Sequence, residues 1–544
     1  MLKQIIVLIF VGLTILSCKN ANENSKEKKN SDTQKITILQ TADIHGQVNV
    51  HDEFFWENNE MIFKRRGGMA SIKTLFDDVK SENQDATIVL DGGDLIQGSA
   101  VAALSEGQIF PDIVNKMGYD FLIPGNWEVV YGKSKMLSAL QAYEPQVIAA
   151  NMYDEGGENL IFPPYFIKEI GNTKLGFIAY NDPEIPIRQN PSFSKGIGFK
   201  SIESNLPALI SELKTEQNVD ILFLVTHIGI AKQVHLADQE ILKDIDYVLG
   251  NDTHERIRKP LQRKFAKVTE PGAFGSFVGR LDLEVKDGKI INENYDLMEV
   301  DPEKYPADPE IQKSIDSALQ PYKSKTDQIL GYTNTPLYRY FVVENPMDNM
   351  ITDAARWKMN TDISLSNGFR FSPPLVPKDG KPAAITYSYI WNMLPVNEKV
   401  KTGEATGEQI KNWLEQELHN VFADVGTERF GGWLVRFSGM ELEFNAKAKE
   451  GNRVVNLTVN GKPIDMKKHY SISACRRDGE ALDMLCRLPN VKNPKVHDFT
   501  IHEVLAEYLK AMDTISPVKD GRAKALDLGE DVLSQLPDTD YHFH

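Results

Sequence analysis

The chain has 544 residues, too many for one hydrophobic core, so two domains are expected. Hydrophobic residues make up 41% and charged residues 25%, an ordinary balance for a globular protein. The formal net charge of −16 excludes a nucleic-acid polymer as a stably held partner, but not a small anion, because a local metal pair outweighs a diffuse negative surface.

Residues 1–18 read as a targeting segment. Lys3 precedes the apolar run QIIVLIFVGLTIL, which is too short to span a bilayer comfortably and ends at Ile-Leu-Ser-Cys. This resembles a bacterial lipoprotein signal, which implies a lipid anchor on Cys18 and a periplasmic or cell-surface location. An uncleaved anchor or an ordinary secretory signal stays open. Residues 19–34 are rich in Asn, Ser, Lys and Glu and read as a flexible tether.

From Lys35 to about residue 305, short apolar runs alternate with amphipathic stretches such as MASIKTLFDDVK and NLPALISELKTE, the pattern of layered α/β architecture. Five apolar runs end in metal-binding residue types: ITILQTADIHG (Asp43, His45), TIVLDGGD (Asp94), FLIPGNWE (Asn126), ILFLVTHIG (His227) and DYVLGNDTH (Asp252, His254). Open α/β sheets place their sites at strand carboxyl ends, so seven O and N donors are expected on one edge. That number suits two divalent ions with a shared carboxylate, a device that activates water and clamps both oxygens of a phosphoester-like centre. Taken singly, each residue has an ordinary structural reading as a turn or a hydrogen-bonded core residue. Recurrence after five strands is what singles them out.

GSFVGRLDLEVKDGKI reads as a hairpin turning at Asp287-Gly288. Residues 306–330 read as a polar helical connector interrupted at Pro321, with little to bury. Residues 331–544 form the second domain, with helices in MDNMITDAARWKMN and ATGEQIKNWLEQEL, the latter capped by Thr406. Strands are expected in TDISLSNGFR, LVRFSGMELEFN and RVVNLTVNGKPI, the last turning at Asn460-Gly461. Apart from Cys18, the cysteines are Cys475 and Cys486, and the sequence leaves a disulfide and two free thiols equally open.

The order D-x-H, G-D, G-N-x-E, H-x-G and a final x-x-x-H resembles the calcineurin-like metallophosphoesterases. The stretches NPMDNMITDAARWKMNTDISLSNGFR and LPVNEKVKTGEATGEQIKNWLE resemble the second domain of the 5′-nucleotidase family. The resemblance covers about residues 35–525. It implies an N-terminal metallophosphoesterase αββα sandwich followed by a nucleotidase-type α/β substrate domain. It further implies that Asp43, His45, Asp94 and His254 hold one divalent ion, and Asp94, Asn126, His227 and Asp252 the other. Asp94 would bridge, and Asp94 and Asn126 would carry catalytic roles. Asp252 stands where the family has the first histidine of Gly-His-x-His; a carboxylate there favours Mn or Mg over Zn.

Several positions depart from the nucleotidases. Their Gly-Asn-His-Glu carries a histidine that stabilises the leaving group, oriented by an aspartate three residues on; here the positions are Trp127 and Val130. Indole cannot transfer a proton at neutral pH. The base-stacking aromatics of the family are replaced by Val396 and Glu480. Arg370, with Asn367, retains the position that grips an oxyanion, and Arg339 lies where the family has further arginines. Trp127-Glu128-x-x-Tyr131-Gly132 and Gly431-Gly432-Trp433-Leu434-Val435-Arg436 resemble the thiosulfohydrolase branch, which removes sulfate from a sulfur carrier protein. The expected function is hydrolysis of a phosphoester-type substrate, nucleotide or related. Thiosulfohydrolase-like chemistry and a non-catalytic surface binding protein stay open as alternatives.

Overall fold

The computed structural model describes residues 33–58, 60–367, 372–429 and 433–529. The N-terminal half is built on two six-stranded sheets. In the first, Gln34–Thr41, Thr87–Asp91, Phe121–Leu122 and Gln146–Val147 run parallel. The antiparallel hairpin Phe277–Lys286/Lys289–Glu299 extends it beyond Gln34–Thr41. Asp287 and Gly288 turn this hairpin, both at positive φ. In the second sheet, Ile221–His227 runs parallel to Thr173–Asn181 and Tyr247–Gly250.

The central strands are apolar on both faces because both faces are covered. Ile38, Leu90, Phe121, Phe177, Phe223 and Leu249 fill the space between the sheets. Helix Met69–Glu82 buries Ile72, Leu75, Phe76 and Val79, one stripe at helical spacing, on the outside of the first sheet. Helices Leu206–Thr215 and Ile230–Ala237 cover the second. Four layers result, the expected αββα sandwich.

The connector departs from its reading as a segment with little to bury. Helix Pro309–Leu319, capped by Asp308, buries Ile311 and Ile315 in the same core as Met69–Glu82. Pro321 sits in the short turn Gln320–Tyr322 that follows. Strand Ile329–Thr333 then opens the C-terminal half, whose five-stranded sheet contains Ile363–Ser366, His469–Cys475 and Lys399–Thr406. Helix Gly407–Phe422 packs beneath it, with Thr406 and Gln409 closing a reciprocal cap.

The halves meet through a hairpin that the sequence pattern did not announce, Val50–Glu57/Glu60–Gly67. Phe54 stacks on Tyr340 with ring centroids 4.7 Å apart. Beneath it the buried Glu53 carboxylate accepts from Arg256 at 2.7 Å, from Ser276 at 2.7 Å and from the Tyr340 hydroxyl.

Candidate metal centre and interdomain cleft

All seven predicted donors lie at the carboxyl edge of the two sheets, and six of them form a tight cluster. Asp43 Oδ1 is 3.9 Å from His45 Nε2, 3.7 Å from His227 Nε2 and 3.6 Å from His254 Nε2. Asp94 Oδ2 is 3.1 Å from His227 Nε2 and 3.7 Å from His45 Nε2. Asp252 Oδ1 is 3.8 Å from His227 Nε2. Asn126, the seventh, donates from Nδ2 to Asp252 Oδ1 at 2.8 Å.

Two groups have metal-binding geometry: Asp43, His45 and His254, and Asp43, Asp94 and His227. Asp43 is common to both. Asp94, expected to be the shared carboxylate, also faces a histidine of each set. The donor set fits divalent cations on a further observation: Asp43 Oδ1 is buried and hydrogen-bonds to no described residue, an arrangement that is costly unless a cation completes it.

The loops that present these donors are strained in a common way. Asp43, His45, Asp94, Asp252 and His254 all have positive φ, rare for residues with a side chain. The strain is overdetermined by neighbours. His45 N donates to Asp94 O at 2.8 Å and Asp43 N to Gly93 O at 2.9 Å, zipping two loops together. Gly125 packs so closely that a Cβ there would sit 2.2 Å from Asp94 Oδ1.

Glu128 is the organiser of this edge and was not singled out from the sequence as a site residue. Its carboxylate accepts from the amides of Asp94 (3.0 Å), Leu95 (2.7 Å), Ile96 (3.3 Å) and Gly125 (2.6 Å). The histidines are preset from behind: His45 Nδ1 lies 3.1 Å from Gln97 O and His227 Nδ1 2.7 Å from Gly92 O, leaving each Nε2 to face the cluster.

Charge crowding shows in the protonation of these side chains. Burial, with Asp94, Glu270 and Asp252 nearby, holds the Asp43 carboxyl well above the usual range despite His227. Burial depresses His45 to about 4. Burial opposes ionisation of Asp94, yet His227, His45 and the Trp127 amide hold it at about 2. Asp94 and Asp43 overcome burial to keep His227 protonated well above its ordinary value.

A cleft of about 170 Å³ lies between the two halves, beside this edge. Trp127 and Arg188 line it from one side, and Asn367, Arg339, Cys475 and Trp433 from the other. Arg339 is a wall rather than a mobile clamp: its guanidinium donates twice to Asp348 Oδ1, at 2.8 and 2.6 Å, and to Met393 O at 2.7 Å. Asn367 Oδ1 lies 3.5 Å from Cys486 Sγ. Arg370, Gly431 and Gly432 fall outside the described residues, as do residues 1–32 with Cys18. Cys475 and Cys486 are free thiols, both pushed by burial to about 12. Val396 also lines the cleft, but Phe193, Trp127 and Trp433 bring aromatic surface from outside the positions where the sequence suggested its loss.

Residues 36–256 match the model of the calcineurin-like phosphoesterases, and residues 324–474 that of the 5′-nucleotidase C-terminal domain. A 5′-nucleotidase of Vibrio parahaemolyticus is 22% identical, over 91% of this chain and 92% of its own. Protein UshA of Escherichia coli is 23% identical, over 90% and 93%. Among solved structures, the sulfate thiohydrolase SoxB of Thermus thermophilus superposes with a TM-score of 0.82 at 22% identity, covering 92% of this chain and 98% of that one. A 5′-nucleotidase precursor, also of Thermus thermophilus, gives 0.78 at 20% identity, covering 91% and 100%.

Proposed function

We propose, for a chain that joins a calcineurin-like phosphoesterase domain to a 5′-nucleotidase C-terminal domain, a dinuclear-metal-dependent hydrolase of nucleotides or related phosphate esters acting outside the cytoplasm. The chain is a metallophosphoesterase-family hydrolase acting on phosphoester bonds. The observation that carries the finer reading is the convergence of Asp43, His45, Asp94, His227, Asp252 and His254 beside an interdomain cleft.

Asp43, His45, Asp94 and His254 would hold one ion, and Asp94, Asn126, His227 and Asp252 the other. When bound, such a pair activates water and neutralises charge on a tetrahedral centre. The donors are oxygen and nitrogen with no thiolate, a chemistry that favours manganese, with Mg or Zn as alternatives. The chain's own contribution is preorganisation: Glu128 and the zipped loops fix the donors before substrate arrives. Arg370 is the proposed grip on the oxyanion, with Asn367 beside it on the cleft wall. Trp127 excludes water from the cleft but transfers no proton, so a substrate with a good leaving group suits this site.

That same residue favours a second reading, thiosulfohydrolase-like removal of sulfate from a sulfur carrier protein. Turnover of AMP, a UDP-sugar, bis-p-nitrophenyl phosphate and a thiosulfonate-loaded peptide with Mn²⁺ separates the two. Uptake below about one ion per chain would sink both in favour of a binding protein. Among the described residues no helix is long and apolar enough to cross a membrane. The proposed attachment, carried by the resemblance of residues 1–18 to a lipoprotein signal, is a lipid on Cys18, and Cys18→Ala should move the protein from the membrane to the soluble fraction. Retention in the membrane would count against the anchor.

A further inference from the structure

Asp252 brings a third carboxylate to an edge that already holds Asp43 and Asp94, and the structure places one cation against it. Arg188 ends the short helix Ile185–Arg188, just beyond strand Thr173–Asn181. Its NH1 and NH2 donate to Asp252 Oδ2, both at 3.2 Å, and NH2 lies 3.4 Å from Oδ1. NH1 also donates to the fully buried Asp182, which has a second cation, Lys232 Nζ, at 3.8 Å and is fixed by the Glu184 amide at 2.9 Å. With Oδ2 engaged by guanidinium, Asp252 Oδ1 is the oxygen that faces Asn126 and His227. Room for this carboxylate comes from Gly229, where a Cβ would sit 2.9 Å from Oδ2.

We propose that Arg188 is a positioning residue that compensates Asp252, so that the pair presents one oriented oxygen with the net charge of a neutral ligand. The inference rests on the dinuclear reading above. Guanidinium stays charged at any working pH, so the compensation is permanent. It would keep the cleft floor from repelling an anionic substrate, since Arg188 lines the cleft beside Trp127.

The test is a double-mutant cycle read by metal titration and metal content, with turnover of p-nitrophenyl phosphate alongside. Asp252→His removes the carboxylate but leaves Arg188 facing the ion; its affinity for the weaker ion should fall about tenfold or more. Adding Arg188→Met should bring that affinity back to within about threefold of wild type, because a neutral imidazole then has no cation behind it. Arg188→Met alone should bind cations at least as tightly as wild type while KM for the anionic ester rises. Arg188→Lys, which keeps the charge but not the two-nitrogen contact, should raise KM less than Arg188→Met does. If Asp252→His binds both ions normally, or the double variant is no better than Asp252→His, the compensation is overturned. If Arg188→Met alone loses metal, Arg188 is a structural brace and nothing more. A wild-type chain that takes up no divalent ion overturns this inference together with the hydrolase reading, whereas the other failures leave that reading standing.

Discussion

The backbone amide of Trp127 donates to Asp94 Oδ1 at 2.7 Å. The contact belongs to the main chain, so it does not depend on which side chain position 127 carries. The indole meanwhile points into the cleft wall and is 8% exposed. Metal-ligand support and leaving-group chemistry are therefore separable at this one residue.

Trp127→His should accordingly leave metal content unchanged and raise turnover of a poor-leaving-group monoester such as AMP. A general acid contributes typically 10²–10⁴-fold, but Val130 offers no acceptor to orient the imidazole, so a gain of about tenfold is expected. Steady-state rates on AMP against p-nitrophenyl phosphate check this. An equal change on both substrates would mean that position 127 acts by shape alone.

Gly125→Ala should abolish metal binding in a folded protein. The added Cβ would stand 2.2 Å from Asp94 Oδ1 and 2.4 Å from Asp94 N, and the Asp94 backbone is tied to the neighbouring loop by His45 N. Glu128→Ala should act on the same edge from the other side, leaving four amides without their acceptor and costing about 3 kcal/mol or more. Metal content with circular dichroism separates loss of the site from loss of the fold. Normal metal content in Gly125→Ala would mean that the loops are looser than their contacts imply.

How much of this was legible beforehand depended on whether the signal was local. Asp43, His45, Asp94, His227, Asp252 and His254 each follow a run of buried apolar residues, so type and position announced them. The caps and tight turns at Thr406, Asp287-Gly288 and Asn460-Gly461 were legible for the same reason. Arg188 had no such signal: its neighbour Ile187 is 69% exposed, and its partner Asp252 lies 64 positions along the chain. The hairpin around Glu53 was equally silent, because VHDEFFWE and EMIFKRRG mix charge with aromatics and their burial comes from distant residues, Tyr340 for Phe54 and Phe277 for Phe55. Helix Pro309–Leu319 looked too polar to bury, yet Ile311 and Ile315 enter the core and Ala318 and Leu319 pack against it.

Chelation should lower the melting temperature measurably. Asp43 and Asp94 repel one another once the cations are gone, and Asp43 Oδ1 hydrogen-bonds to no described residue. A ligand present at 100 times its Kd stabilises by about 2.7 kcal/mol, which for a domain of this size corresponds to a shift on the order of 5–10 °C. Differential scanning calorimetry with EDTA and then with added Mn²⁺ checks it. A melting temperature indifferent to both would argue against a resident ion.

The last prediction concerns acid stability at the junction of the two halves. Glu53 is fully buried, and although burial pushes its carboxyl upward, Arg256, His51 and Tyr340 bring it down to about 2 from an ordinary 4.5. The folded value is the depressed one, so the group's contribution is fully present above about pH 4.5 and is lost as pH falls from there through about 2. By linkage the contribution is roughly 3 kcal/mol. Other buried carboxyls, such as Glu270 at about 8, are shifted the opposite way, so total stability against pH would mix both signs. The informative quantity is the difference between wild type and Glu53→Gln. That variant leaves Arg256 without its buried partner and should lose about 3 kcal/mol at pH 7. The gap in urea midpoint should hold from pH 7 to about 5, narrow below pH 4.5 and shrink to about a quarter by pH 2.5. A gap that stays constant to pH 2.5 would show that the side-chain packing of Glu53, and not its charge, ties the hairpin to Tyr340.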